Sequence, residues 1–144
     1  MQSTNYVVAN IEMLRRIDGA EAVECWTFYE PLIASVIRAA NSGQYPDDVL
    51  TCVQLGTMQL WRISDDRGIA VTEIQDHPRY KQLLIYMVAG HAAPYWIAEG
   101  QAQLEAFAKM SGCKHMLFQG RPGWEHYCER LGYGHKQILM RKDL

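Results

Sequence analysis

KQLLIYMVAGHAAPYWIAEGQAQLEAFAKMSG, residues 81–112, carries the clearest pattern in the chain. It opens with seven consecutive apolar residues, 83–89, rich in branched and aromatic side chains. A run of that length, bounded by polar residues and Gly90, reads as a strand buried on both faces. After the hexapeptide His91-Ala92-Ala93-Pro94-Tyr95-Trp96 a helical period begins. Ile97, Gly100, Leu104, Phe107, Ala108 and Ser111 fall on one face at spacings of three and four. Pro94 suits a first helical turn and Gly112 a helix end. A buried strand therefore feeds a long helix through a short loop. Two readings of that junction stand: a ligand site, since free N–H groups at a helix start attract anions, or a core strand under a covering helix.

Downstream, KHMLFQ at 114–119 reads as a short strand. The helix before it has the length of a parallel βαβ crossover. The strands at 83–89 and 115–119 are thus expected side by side and parallel, splaying apart toward Gly90 and Gly120. Gly120-Arg121-Pro122-Gly123 is a loop, 124–131 a short helix stopped by Gly132, and 135–140 a last strand. Upstream, 58–64 and 69–75 form a hairpin across Asp65-Asp66-Arg67-Gly68. Trp61 and Ile63 fall on one face and Met58 and Leu60 on the other, so the sheet is expected to be covered on both sides. Pro46-Asp47-Asp48 looks like the acidic first turn of a short helix ended by Gly56, with Val49, Leu50, Val53 and Leu55 on its buried side. Residues 21–41 carry a broad apolar helical stripe interrupted by Pro31, where a restart or a kink is expected. The first twenty residues are ambiguous. Tyr6-Val7-Val8-Ala9 could begin a strand, and 11–17 could form a helical turn or two. The expected fold is a mixed α/β domain spanning 1–144, mostly antiparallel, with helices on both faces and one parallel splayed strand pair.

The composition narrows the function classes. A hydrophobic fraction of 49% supports a real core. Fourteen basic and sixteen acidic residues leave a net charge of −2, and no basic cluster exceeds His135-Lys136 or Arg141-Lys142, which argues against nucleic acid. No apolar run is long enough to cross a bilayer, and the N-terminus lacks the basic start and apolar core of a signal peptide. Cys25, Cys52, Cys113 and Cys128 are widely spaced, so reduced thiols of an intracellular protein are expected and no metal site.

The element order, with LEAFAKMSGCKHMLFQG and GWEHYCERLGYGHKQILMRKDL, resembles the GNAT superfamily of acetyl-CoA-dependent N-acetyltransferases. Leu104, Ala108 and Gly112 carry the match in the long helix. Leu131-Gly132-Tyr133 is similar to the family's "LGF" before its last strand. The resemblance runs from about residue 57 to the C-terminus. It implies acetyl-CoA as cofactor, laid along Met87, Val88 and Ala89 of the buried strand and over Ala92, Tyr95, Trp96 and Ile97 at the helix start. In the family that start is a pyrophosphate loop of the form Q/R-x-x-G-x-G/A. Here Ala92, Tyr95 and Ile97 stand at the three defining positions. Tyr95 and Ile97 place a Cβ where the backbone must approach phosphate, and Pro94 removes one donor.

The resemblance also implies a Tyr that protonates the departing coenzyme A thiolate. Cys128 occupies that position, with Arg121 and Trp124 at two others that usually carry Asn and Ala. A thiol of ordinary pKa about 8.5 could donate that proton, or Cys128 could be a small buried hydrophobe. His91, at the end of the buried strand, could deprotonate an amine or bond a loop carbonyl. Glu73 could face an acceptor amine or be a surface carboxylate. Trp96 and Trp124 read as packing residues. Short proteins with a Gly-Arg-Pro-Gly-Trp loop also resemble, more loosely, GNAT-like proteins encoded among the structural genes of tailed bacteriophages. Three functions stand open. The first is a GNAT-fold protein with a degenerate cofactor site that works through a protein partner, in a virion or the host cytoplasm. The second is an active acetyltransferase with an atypical loop. The third is an acyl-thioester binder without turnover.

Overall fold

The computed structural model describes residues 12–40 and 42–144. The expected early strand at 6–9 lies outside them. Five strands form one sheet in the order β1 (Leu14–Ile17), β2 (Met58–Ile63), β3 (Gly68–Asp76), β4 (Lys81–Gly90) and β5 (Cys113–Phe118). The first three pairings are antiparallel and β4 with β5 is parallel, as the crossover length requires. The connecting helices are α1 (Gly19–Glu24), α2 (Trp26–Ala40), α3 (Pro46–Leu55), α4 (Ala93–Met110) and α5 (Glu125–Arg130).

Two cores lie on opposite faces of the sheet. On one, Met58, Leu60, Ile69, Val71 and Met87 meet Tyr29, Ile33 and Ile37 of α2 and Val49 and Val53 of α3. On the other, Trp61, Ile63, Leu83 and Ile85 meet Trp96, Leu104 and Ala108 of α4. The alternation along β2 is what sends Trp61 and Ile63 one way and Met58 and Leu60 the other. Val49 and Val53 supply the buried side of α3, while Leu55 is 72% exposed. Asp48 accepts from the Tyr45 N–H at 2.8 Å at its start, and Gly56, at φ 82, closes it.

Three expectations are corrected. Residues 14–17 are a strand, not helical turns: Leu14 packs into the α4-side core and Ile17 into the other, and i and i+3 reach opposite faces only in extended chain. The break in the first helical stretch falls at Cys25, between α1 and α2, and α2 continues through Pro31. Cys25 leaves the helical backbone range, at φ −106 and ψ 25, which ends α1 before the proline is reached. Residues 135–140 are not a strand; they lie exposed and join no strand among the described residues.

Candidate functional site

β4 and β5 stay paired only from Lys81 with Cys113 to Ile85 with Phe118. β4 then runs on to Gly90 while β5 stops, so the two strands part toward Gly90 and Gly120. A cleft of about 500 Å³ opens at this end. Phe28, Leu32 and Val36 of α2 form one wall, and Val88, Ala89 and Gly90 of β4 another. Asp66, Arg67, His91, Arg121 and Trp124 also line it. Arg67 arrives through the hairpin register, which sets Gly68 opposite Gly90. Its position is therefore readable only once β3 and β4 are paired. Its guanidinium lies 3.3 Å from Asp65 and 5.3 Å from the centre of the Tyr95 ring.

On the α4 side of the sheet, aromatic rings pack around the ends of the two strands. Trp124 lies 6.5 Å from Trp96 and 5.9 Å from Phe118, centre to centre. The rings reach both strand ends. A Cβ on Gly90 would lie 3.5 Å from Trp96, and one on Gly120 would lie 2.7 Å from Phe118 and 3.5 Å from Trp124. Trp96 is buried, and its indole N–H donates to the His91 carbonyl at 2.9 Å.

The start of α4 has few free donors. The N–H of His91 donates to the Arg67 carbonyl and that of Tyr95 to the Ala92 carbonyl, each at 3.0 Å. Pro94 has no N–H. Of positions 91–95 at most Ala92 and Ala93 can offer a donor to a ligand. Ala92 sits at φ 57, a left-handed conformation that costs a non-glycine residue of order 1 kcal/mol.

The residues singled out from the sequence separate spatially. His91, Val88 and Ala89 reach the cleft. Met87 points into the α2–α3 core, Ile97 is half-buried against the α4-side core, and Tyr95 is 72% exposed. Glu73 pairs with Leu84 and accepts from Gln75 at 2.9 Å. From there to Ala89 is roughly 16 Å along the strand at about 3.3 Å per residue. Cys128 is half-buried beside Tyr133 and does not line the cleft. Burial pushes its thiol pKa up, so it is protonated at neutral pH, and burial holds the Tyr133 hydroxyl, bonded to Gln101, up to about 12.

A protonated, half-buried thiol reacts slowly. Cys128 is expected to resist alkylation in the native protein, and Cys128→Ala to cost about 1 kcal/mol through a small cavity. Rapid native labelling blocked by acetyl-CoA would contradict this. Exposed Glu125, Glu129 and His135 bring their donor atoms within 4.8 Å of one another, and His135 with Glu125 is an ion pair at 2.7 Å.

No protein-family model matches the sequence, and no curated protein matches it. Solved structures do match in shape. A probable acetyltransferase superposes with a TM-score of 0.67 at 9% identity, over 91% of this chain and 95% of its own. An aminoglycoside acetyltransferase from an uncultured soil metagenomic sample, solved with sisomicin, gives 0.67 at 10% identity over 95% and 98%. A GCN5-related N-acetyltransferase from Ralstonia eutropha gives 0.66 at 13% identity over 90% and 97%. The chain has the GNAT fold. Within that fold the cleft at the splayed ends of β4 and β5 is the candidate site. Among the described residues no helix is long and apolar enough to cross a membrane.

Proposed function

We propose that this GNAT-fold chain has a degenerate acetyl-CoA site and works through contacts with a protein partner. The observation that carries the reading is the aromatic packing at the ends of β4 and β5. Trp124 packs against both Trp96 and Phe118 beside the end of β4, where the resemblance would lay a cofactor. The donor-poor start of α4 supports it independently, because phosphate binding at a helix start needs exposed N–H groups. The cleft suits a protein segment: its lining combines apolar side chains of α2 with Asp66, Arg67 and Arg121, an apolar pocket beside charged groups of both signs. A virion or the host cytoplasm is the setting we propose, on the looser phage resemblance.

The second reading is an active N-acetyltransferase with an atypical loop. The open cleft with His91 and two arginines favours it. Acetyl-CoA binding separates the two. Each lost charge-assisted phosphate contact costs about 1.5–3 kcal/mol. Two lost contacts raise Kd by about a hundredfold or more. Calorimetry is expected to give no saturable binding in the micromolar range.

A further inference from the structure

The cleft at the strand ends holds a cation that the chain does not neutralise. Of the carboxylate and guanidinium groups that line it, Asp66 is paired with Arg62 at 2.6 Å and Arg67 with Asp65 at 3.3 Å. Arg121 is left over and makes no ion pair among the described residues. His91 lines the same cleft and adds positive charge whenever it is protonated. The chain as a whole carries a net charge of −2, so the excess is local.

The backbone holds Arg121 in place. Its carbonyl accepts the Trp124 N–H at 3.0 Å, closing the turn at Pro122–Trp124, and the Trp124 ring packs on Trp96 and Phe118. Arg67 is tethered likewise: its carbonyl accepts the His91 N–H at 3.0 Å, and its guanidinium lies over the Tyr95 ring. Groups fixed before a ligand arrives lose little freedom when it binds.

The rest of the lining is largely apolar, with Phe28, Leu32 and Val36 from α2 and Val88 from β4. A cleft of about 500 Å³ has the size of a small-ligand pocket, so it takes a short piece of chain and not a domain face. A guanidinium pairs with a carboxylate through two parallel N–H bonds, which a point cation cannot do. A basic segment would meet Arg121 with like charge, which is costly at an interface.

We propose that the protein partner presents an acidic–apolar segment to this cleft, an aspartate or glutamate next in sequence to a large apolar residue. The carboxylate sits on Arg121, and the apolar side chain lies against Leu32 and Val36. The inference rests on the protein-partner reading above and specifies the chemistry of that partner.

An NMR titration of the isotope-labelled full chain tests this, with a capped pentapeptide, glycine–leucine–aspartate–phenylalanine–glycine, and its asparagine counterpart. The aspartate peptide is expected to shift amides around Leu32, Val88, His91 and Arg121 and to saturate by millimolar concentration. The asparagine peptide should bind at least about tenfold more weakly, since it loses a charge-assisted pair. Arg121→Gln, a change at an exposed residue, should weaken the aspartate peptide by the same factor and leave the asparagine peptide unaffected. Equal binding of the two peptides, an unchanged response in Arg121→Gln, or no binding overturns the proposal. Inorganic phosphate that shifts the same amides as strongly at equal concentration also overturns it, by showing a plain anion site. Acetyl-CoA added to a fresh sample separates the two levels. If peptide and acetyl-CoA are both silent, only this inference falls; saturation by acetyl-CoA removes the degenerate-site reading and this inference with it.

Discussion

Gly68→Ala is expected to destabilise the fold severely, while Gly123→Ala leaves stability within about 0.5 kcal/mol. Gly68 opens the middle strand β3, paired with Ile63 at the end of β2 and with Gly90 at the end of β4. Its φ is +145°, where L side chains are strained, and an added Cβ would lie 1.9 Å from the Ala89 carbonyl oxygen and 2.5 Å from the Gly90 Cα. Both obstacles are backbone, so no side-chain rotation relieves them. β4 would have to leave β3 at the point where the register from Gly68–Gly90 to Asp76–Lys81 begins. The expected loss exceeds about 4 kcal/mol, a large part of the 5–15 kcal/mol that holds a domain of this size. Gly123 has open space around the same position. Circular dichroism during thermal unfolding reads both variants. A cooperative transition in Gly68→Ala within a few degrees of the parent would show that the β3–β4 register is wrong.

Trp96→Ala has the second-largest expected effect, about 3–5 kcal/mol, the range for emptying a buried tryptophan site. Trp96 is 4% exposed and stands where four parts of the fold meet: β1 through Leu14, the end of β4 at Gly90, Gly100 of its own helix, and Trp124. Removing the ring leaves a cavity that Trp124 cannot fill without leaving Phe118. Trp96→Phe keeps most of the packing and loses the bond to the His91 carbonyl, so about 1 kcal/mol of extra loss is expected from that bond. Urea unfolding compares the two. A cost below about 1 kcal/mol for Trp96→Ala would place the ring outside the core and remove the argument from aromatic packing at the strand ends.

Much of the fold was legible because its strongest signals are local. The seven apolar residues at 83–89 belong to β4, the polar tetrapeptide 65–68 makes the hairpin, and Pro46 and Gly56 bound α3. The helix face at Gly100, Leu104 and Ala108 is buried as its spacing requires. β1 was not legible because it has four residues and only its ends are buried, a spacing of three that also fits a helix. Residues 135–140 have a strand's composition, but a strand exists only with a neighbour, which composition cannot supply. The site was legible in part. Val88, Ala89 and His91 come from the strand end that the sequence marks out. Arg67 and the α2 wall reach the cleft through cross-strand register and helix packing, which no local pattern carries. Trp96 and Trp124 read as packing residues, and both pack on the α4-side core; that they touch each other depends on the tertiary fold.

The most direct test of the degenerate-site reading is a calorimetric titration of the full chain with acetyl-CoA. Absence of saturable heat through the micromolar range is the predicted result, because aromatic rings pack against the strand ends and positions 91–95 offer at most two free N–H donors. A stoichiometric isotherm with a low-micromolar Kd would contradict the account and make the acetyltransferase reading the correct one.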